Sequence, residues 1–158
     1  MASSFLFTLL HELGHAALGS LFGGGRGWVI HMGAGRLVFD TKKLKIYSRF
    51  FHGGKISFSE GPQKRYQMLL RVAGGPLTNI LCNIFILYIA HMLLQHFSAE
   101  NPPPWWLDRV FVVALFTNIW IIFYTMIPIK YRSGAAKGLQ SDGLTIYQLI
   151  CEPEKFQF

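Results

Sequence analysis

SSFLFTLLHELGHAALGSLF, residues 3–22, decides how the rest of the chain is read. Its only ionisable side chains are His11, Glu12 and His15, set in a run that is otherwise uncharged and mostly apolar. The stretch 1–22 has about the 20 residues needed to cross a hydrocarbon core of roughly 30 Å. It does not read as a signal peptide, because it lacks a basic start and the histidines and glutamate interrupt the apolar centre. Two further stretches of similar length follow, 76–97 (PLTNILCNIFILYIAHMLLQHF) and 107–127 (LDRVFVVALFTNIWIIFYTMI). A buried helix of a soluble protein explains any one of them. Three in 158 residues, with 51% apolar and 15% charged side chains, point to a membrane protein. Soluble domains carry about a quarter charged residues. The same composition excludes disorder and a coiled coil, and the length allows a single domain, 1–158.

Charge gives the orientation. Formal net charge is +7, and ten of the 15 Lys and Arg lie between Gly23 and Gly75, whereas the loop 98–106 has none. In a chain this apolar, the excess fits loops facing an anionic bilayer surface rather than nucleic acid. The positive-inside rule then places the N-terminus outside, 23–75 inside, 98–106 outside and the C-terminal part inside. Asn101-Pro102-Pro103-Pro104-Trp105-Trp106 suits the outer turn, with both Trp at headgroup level. Cys82 and Cys151 have no CxxC spacing and exclude a disulfide scaffold.

Between the first two spans the texture changes. Trp28–Met32, Arg36–Phe39, Leu44–Tyr47 and Lys55–Phe58 are short β-type runs divided by glycine clusters, so 23–60 reads as a small sheet at the inner face. Ser59-Glu60-Gly61-Pro62 then opens an amphipathic helix leading to the second span, in which Pro76 suits the first helical turn after the Gly74-Gly75 break.

His11-Glu12-Leu13-Gly14-His15 is an HExxH sequence. On a helix it puts two imidazoles at i and i+4 on one face, where both can bind one Zn²⁺, and sets a carboxylate beside the metal. Ionisable groups within a span are costly unless they pair, bind metal or line water, which favours the metal reading. Zinc catalysis needs a third protein ligand and an open position. Extended soluble forms are excluded, since Leu18 and Leu21 stand where the HExxHxxGxxH form needs Gly and His, and the next glutamate after Glu12 is Glu60. Candidates that remain are His31, Asp40, His52, Glu60, His91, His96, Asp108 and Asp142. Asp142 is followed by an apolar run that can return to the first helix, and it equally suits the N-cap of that run.

The motifs taken together resemble the site-2 protease family of intramembrane zinc metalloproteases. Membrane-embedded HELGH is followed by Ala73-Gly74-Gly75-Pro76-Leu77-Thr78-Asn79, then Met126-Ile127-Pro128 and Ser141-Asp142-Gly143, over nearly the whole chain and in order. The resemblance implies a mainly α membrane protein, with three transmembrane helices forming a metalloprotease core and a small β-sheet insertion between the first and second spans. It implies one zinc ion held by His11, His15 and Asp142, with Glu12 as catalytic base and Asn79 near substrate or oxyanion. Two features depart from the family pattern: Thr125 stands where the family has Asn, and thirteen residues separate Pro128 from Asp142. Asn118 is a candidate to replace that Asn, although Asn83 and Asn118 also suit hydrogen bonding between helices. The expected activity is hydrolysis of a peptide bond in or near a transmembrane segment of a membrane-protein or peptide substrate, close to the cytoplasmic face. The competing expectation is an inactive membrane binding protein with a structural zinc site.

Overall fold

In the computed structural model, which describes residues 2–62, 64–97, 102–132, 138–152 and 154, the elements run α1 (Ala2–Leu21), β1 (Val29–Asp40), β2 (Leu44–Ser57), α2 (Arg65–Leu94), α3 (Trp105–Met126) and α4 (Asp142–Cys151). The architecture described is therefore mixed, four helices and one sheet. Residues 98–101, in the expected outer turn, and Lys137, in the C-terminal basic group, lie outside the described residues.

Two helices, α2 and α3, are long and apolar enough to cross a membrane. Only 6% of the most apolar window of each is buried, whereas a core helix would be covered on most sides. Leu81, Phe85, Tyr88, Val112, Phe116 and Phe123 are among the exposed side chains. The helix α1 is not one of the two, because His11, Glu12 and His15 dilute its apolar character.

The boundaries of the second helix differ from the sequence expectation. It starts at Arg65, so the amphipathic stretch and the apolar stretch are one 30-residue helix, and Pro76 sits in its interior rather than its first turn. Pro76 has no N–H for the Val72 carbonyl, a defect that a close neighbour helix can accommodate. That neighbour is α1. A Cβ on Gly14 would run into Thr78 and the Gly74 carbonyl, and a Cβ on Gly74 would run into the Gly14 backbone. Gly14 and Gly74 have no side chains to separate the two helices, so their backbones touch there. Gly74-Gly75 is thus a contact surface and not a break. Asn118 of α3 donates to the Asn79 carbonyl oxygen at 2.7 Å and to the Asn83 side-chain oxygen at 2.8 Å, joining α3 to α2. The third helix begins at Trp105, two residues before the expected start, so both Trp lie in its first turn.

The four short β-type runs are two long strands that pair antiparallel. Glycines lie inside them because Gly33, Gly35 and Gly53 take positive φ (85°, 97° and 93°), which interrupts the ladder without ending it. Ile30 opposes Ile56 and also Leu44, and Met32 opposes Gly54 and Ile46, so β2 flanks the start of β1 on both sides. Ile30 and Met32 are fully buried there.

The described residues on either side of 133–137 pair with one another. Lys130 bridges Gln140, and the Ser141 N–H donates to the Ile129 carbonyl at 2.9 Å. The Ser141 hydroxyl donates to the Ile127 carbonyl at 2.6 Å and accepts from the Leu144 N–H at 3.1 Å. Ser141 is therefore the N-cap of α4, and Asp142 is released from that role. Gly143 lies so close to the Met126 backbone that a Cβ would overlap its carbonyl, which fixes α4 against the end of α3.

Candidate metal centre

The helical repeat brings His11 and His15 onto one face of α1, with Nε2 atoms 3.1 Å apart and ring centroids 4.7 Å apart. Asp142 arrives from the far end of the sequence. Its Oδ2 lies 3.0 Å from His11 Nε2 and 3.4 Å from His15 Nε2. Burial alone would raise the Asp142 carboxyl, but hydrogen bonds with His11 and His15 outweigh it and hold the group at about 2. His11, Glu12 and His15 are 3–6% exposed.

Among the described residues this is the one group of three or more His, Cys, Asp and Glu placed to hold a metal ion. The donor spacing tests the fit. Nitrogen and oxygen donors at 2.0–2.1 Å from a tetrahedral zinc lie about 3.3 Å from one another. The three separations, 3.0, 3.1 and 3.4 Å, bracket that value and form one face of such a tetrahedron. His15 Nδ1 stands 2.9 Å from the Arg71 carbonyl oxygen, to which its N–H donates, leaving Nε2 as the lone-pair nitrogen facing the cluster. A Cβ on Gly75 would fall onto both His11 Nε2 and His15 Nε2. The space beside the donors therefore exists because residue 75 has no side chain.

A cavity of about 760 Å³ opens on the cluster, lined in part by His11, Glu12, His15 and Asp142. Residues 53–56 of β2 also line it. Glu12 presses on that strand, since a Cβ on Gly54 would lie 2.9 Å from Glu12 Cγ and Oε1. Tyr131 and Tyr124 stack at 5.4 Å and also line the cavity. Burial, then the Asp142 carboxylate, pushes the Tyr131 phenol up, so it is neutral at working pH.

The remaining candidates are elsewhere. His31 is bonded to Tyr47 and Ser57, Asp40 pairs with Lys45 at 3.6 Å, and His91 meets Gln95. Glu60 is in the turn before α2, Asp108 begins α3 and His96 follows α2, none of them in the cluster. The His52 side chain lies outside the described residues. Asn79 is fully buried one turn beyond Gly75, its side-chain amide has no hydrogen-bond partner among the described residues, and it does not line the cavity. Thr125 lines the cavity and Asn118 does not. The resemblance implies that the stretch 75–79 lines the site, which holds for Gly75 beside the histidines, whereas Gly54 and the capping role of Ser141 have no sequence signal. The two Gly-Gly pairs were visible, but a pair of glycines reads as a turn until a partner backbone is known to approach. Compared with known protein families, with characterised proteins and with solved structures, the chain has no match.

Proposed function

We propose that the chain is an integral membrane zinc endopeptidase that hydrolyses a peptide bond in or beside a transmembrane segment of its substrate. The observation that carries this reading is the meeting of His11, His15 and Asp142 at tetrahedral spacing, with Glu12 facing the same cavity. It agrees with the resemblance to the site-2 protease family. A zinc ion held by these three residues supplies Lewis-acid activation of water and of a bound carbonyl. Glu12 takes the proton from the attacking water at its carboxylate and returns it to the departing amine. Residues 53–56 of β2 hold the unwound substrate extended along the cavity by strand addition. A purely structural zinc is closed by four protein ligands and has no use for a base. Three ligands and an open cavity favour catalysis.

In this reading α1 is the third span, its polar face turned to α2, α3 and the cavity. Thirty residues of α2 rise about 45 Å, more than the roughly 30 Å of hydrocarbon. Its first turns, with Arg65 and Arg71, would then extend beyond the core on the basic side, which supports a metal centre near the cytoplasmic face.

The test uses purified chain in detergent, zinc analysis and a single-span peptide substrate. Glu12→Gln should retain one zinc per chain and lose cleavage by 10²-fold or more, an order expected for removal of a general base (about 10²–10⁴). Residual activity within tenfold of wild type moves the base elsewhere and refutes the assignment.

A further inference from the structure

Two cationic side chains of the cavity lining are left unused by the hydrolytic reading. They are Arg71 of α2 and Lys55 of β2. Arg71 is half-buried and Lys55 exposed, and among the described residues neither has a carboxylate within ion-pair distance. Of the two carboxylates that line the cavity, Asp142 is turned to the histidines and Glu12 lies against Gly54 of β2. A cation held partly out of water without an anion is costly, so a site that keeps one is built for an anion that arrives from outside.

The guanidinium is also positioned. Its carbon lies 3.6 Å from the centroid of the Phe58 ring, stacked on that face. Phe58 cannot move away, because it is seated in space left by glycines: a Cβ on Gly19 would lie 2.8 Å from the ring and one on Gly25 would lie 2.5 Å from it. The Arg71 backbone is fixed as well, through its carbonyl oxygen 2.9 Å from His15 Nδ1. One residue therefore couples the metal cluster, by its backbone, to the cationic wall, by its side chain.

We propose that Arg71, assisted by Lys55, is a specificity-determining residue that binds an acidic side chain of the substrate peptide next to the bond placed over Glu12. The proposal rests on the peptidase reading for its substrate class, and the experiment separates the two. An anionic lipid headgroup offers similar charge. The peptide is favoured because Lys55 belongs to the same β2 wall as Gly53 and Gly54, beside Glu12, where an extended segment would lie.

The probes are apolar decapeptides carrying one glutamate, moved stepwise along the sequence, each paired with its glutamine counterpart. Binding is read by fluorescence anisotropy on zinc-free Glu12→Gln chain, and cleavage separately on zinc-loaded wild type. At one register the Glu peptide should bind and be cleaved about tenfold better than the Gln peptide. Adding Arg71→Gln should bring that ratio to about one, and Arg71→Lys should keep part of it. Binding of the Gln peptide should stay at the wild-type level in Arg71→Gln, which separates loss of the anion contact from loss of structure. Equal binding of both peptides at every register, or a preference that survives Arg71→Gln, overturns the proposal. Loss of the preference on adding phosphatidylglycerol, with tight retention of that lipid by wild type and not by Arg71→Gln, also overturns it by assigning the wall to a headgroup. A Glu preference in binding without any cleavage upholds the anion site and refutes the peptidase reading alone.

Discussion

Replacing Gly75 by Ala sets two effects of known size against each other. In a helix interior Ala is favoured over Gly by about 0.8–1.0 kcal/mol, so on propensity alone α2 should gain stability. At this position the added methyl would stand 2.5 Å from His11 Nε2 and 2.6 Å from His11 Cε1, and would overlap His15 Nε2 as well. Ordinary contact needs about 3.5 Å, so the imidazoles must withdraw by about 1 Å. Metal–ligand distances tolerate only about ±0.2 Å. Changes outside the ligand shell already weaken metal binding about 10–100-fold. Displacing two ligands should exceed the upper end, which is about 2.8 kcal/mol of binding free energy. The zinc-free fold is less affected, since overpacking of about 1–3 kcal/mol is partly offset by the propensity gain. The assay is zinc per chain after equilibration in a buffered zinc series, with thermal melting of the metal-free protein. Gly61→Ala is the control, since a Cβ there meets nothing within 4 Å. A Gly75→Ala chain that binds zinc within tenfold of wild type refutes the placement of α2 against the two histidines.

Two other outcomes follow from the same geometry. Gly54→Ala puts a methyl 2.9 Å from Glu12 Oε1 and 3.1 Å from the Thr8 methyl, so kcat should fall by tenfold or more with zinc content unchanged; unaltered turnover would show that β2 does not set the Glu12 position. Burial first, then Lys55 and Lys45, lowers the His31 imidazole below its ordinary 6.5, so its titration by NMR should have a midpoint under that value and rise in Lys45→Gln. Because the folded chain takes this proton less readily than the unfolded one, the His31 contribution to stability is present above 6.5 and lost as pH falls through the folded value; a midpoint at or above 6.5 contradicts the packing of β1 against β2.

Residues 11–15 carried most of what the sequence could say about chemistry, because the i, i+4 spacing of two imidazoles is a local property of any helix. Asp142 was not legible from its surroundings. An Asp before an apolar helix is a common cap, and only the folded chain shows that Ser141 takes the capping role and leaves the carboxylate free to face His11. Composition located the apolar stretches well, but their limits moved. Pro76 reads as a helix start in isolation, while the Gly14–Gly74 contact that lets the helix continue through it is a tertiary fact. The β-type runs of 28–58 do form a sheet, but as two strands rather than four, since glycines at positive φ bend a strand without ending it. Gly54 and Gly75 define the cavity by lacking a side chain, and an absence of atoms leaves no periodic signal.

If a metal ion sits between His11, His15 and Asp142, the zinc affinity of Asp142→Asn beside wild type must show it. Ser141 keeps the helix cap, so the variant should melt with the zinc-free wild type, and Asn is tolerated at helix starts. The amide has no charge to offer the cation. Zinc binding should weaken by at least about 100-fold, and X-ray absorption at the zinc edge should lose one oxygen ligand near 2.0–2.2 Å while keeping both imidazoles. A variant that binds one zinc with wild-type affinity and an unchanged spectrum would show that Asp142 is not a ligand.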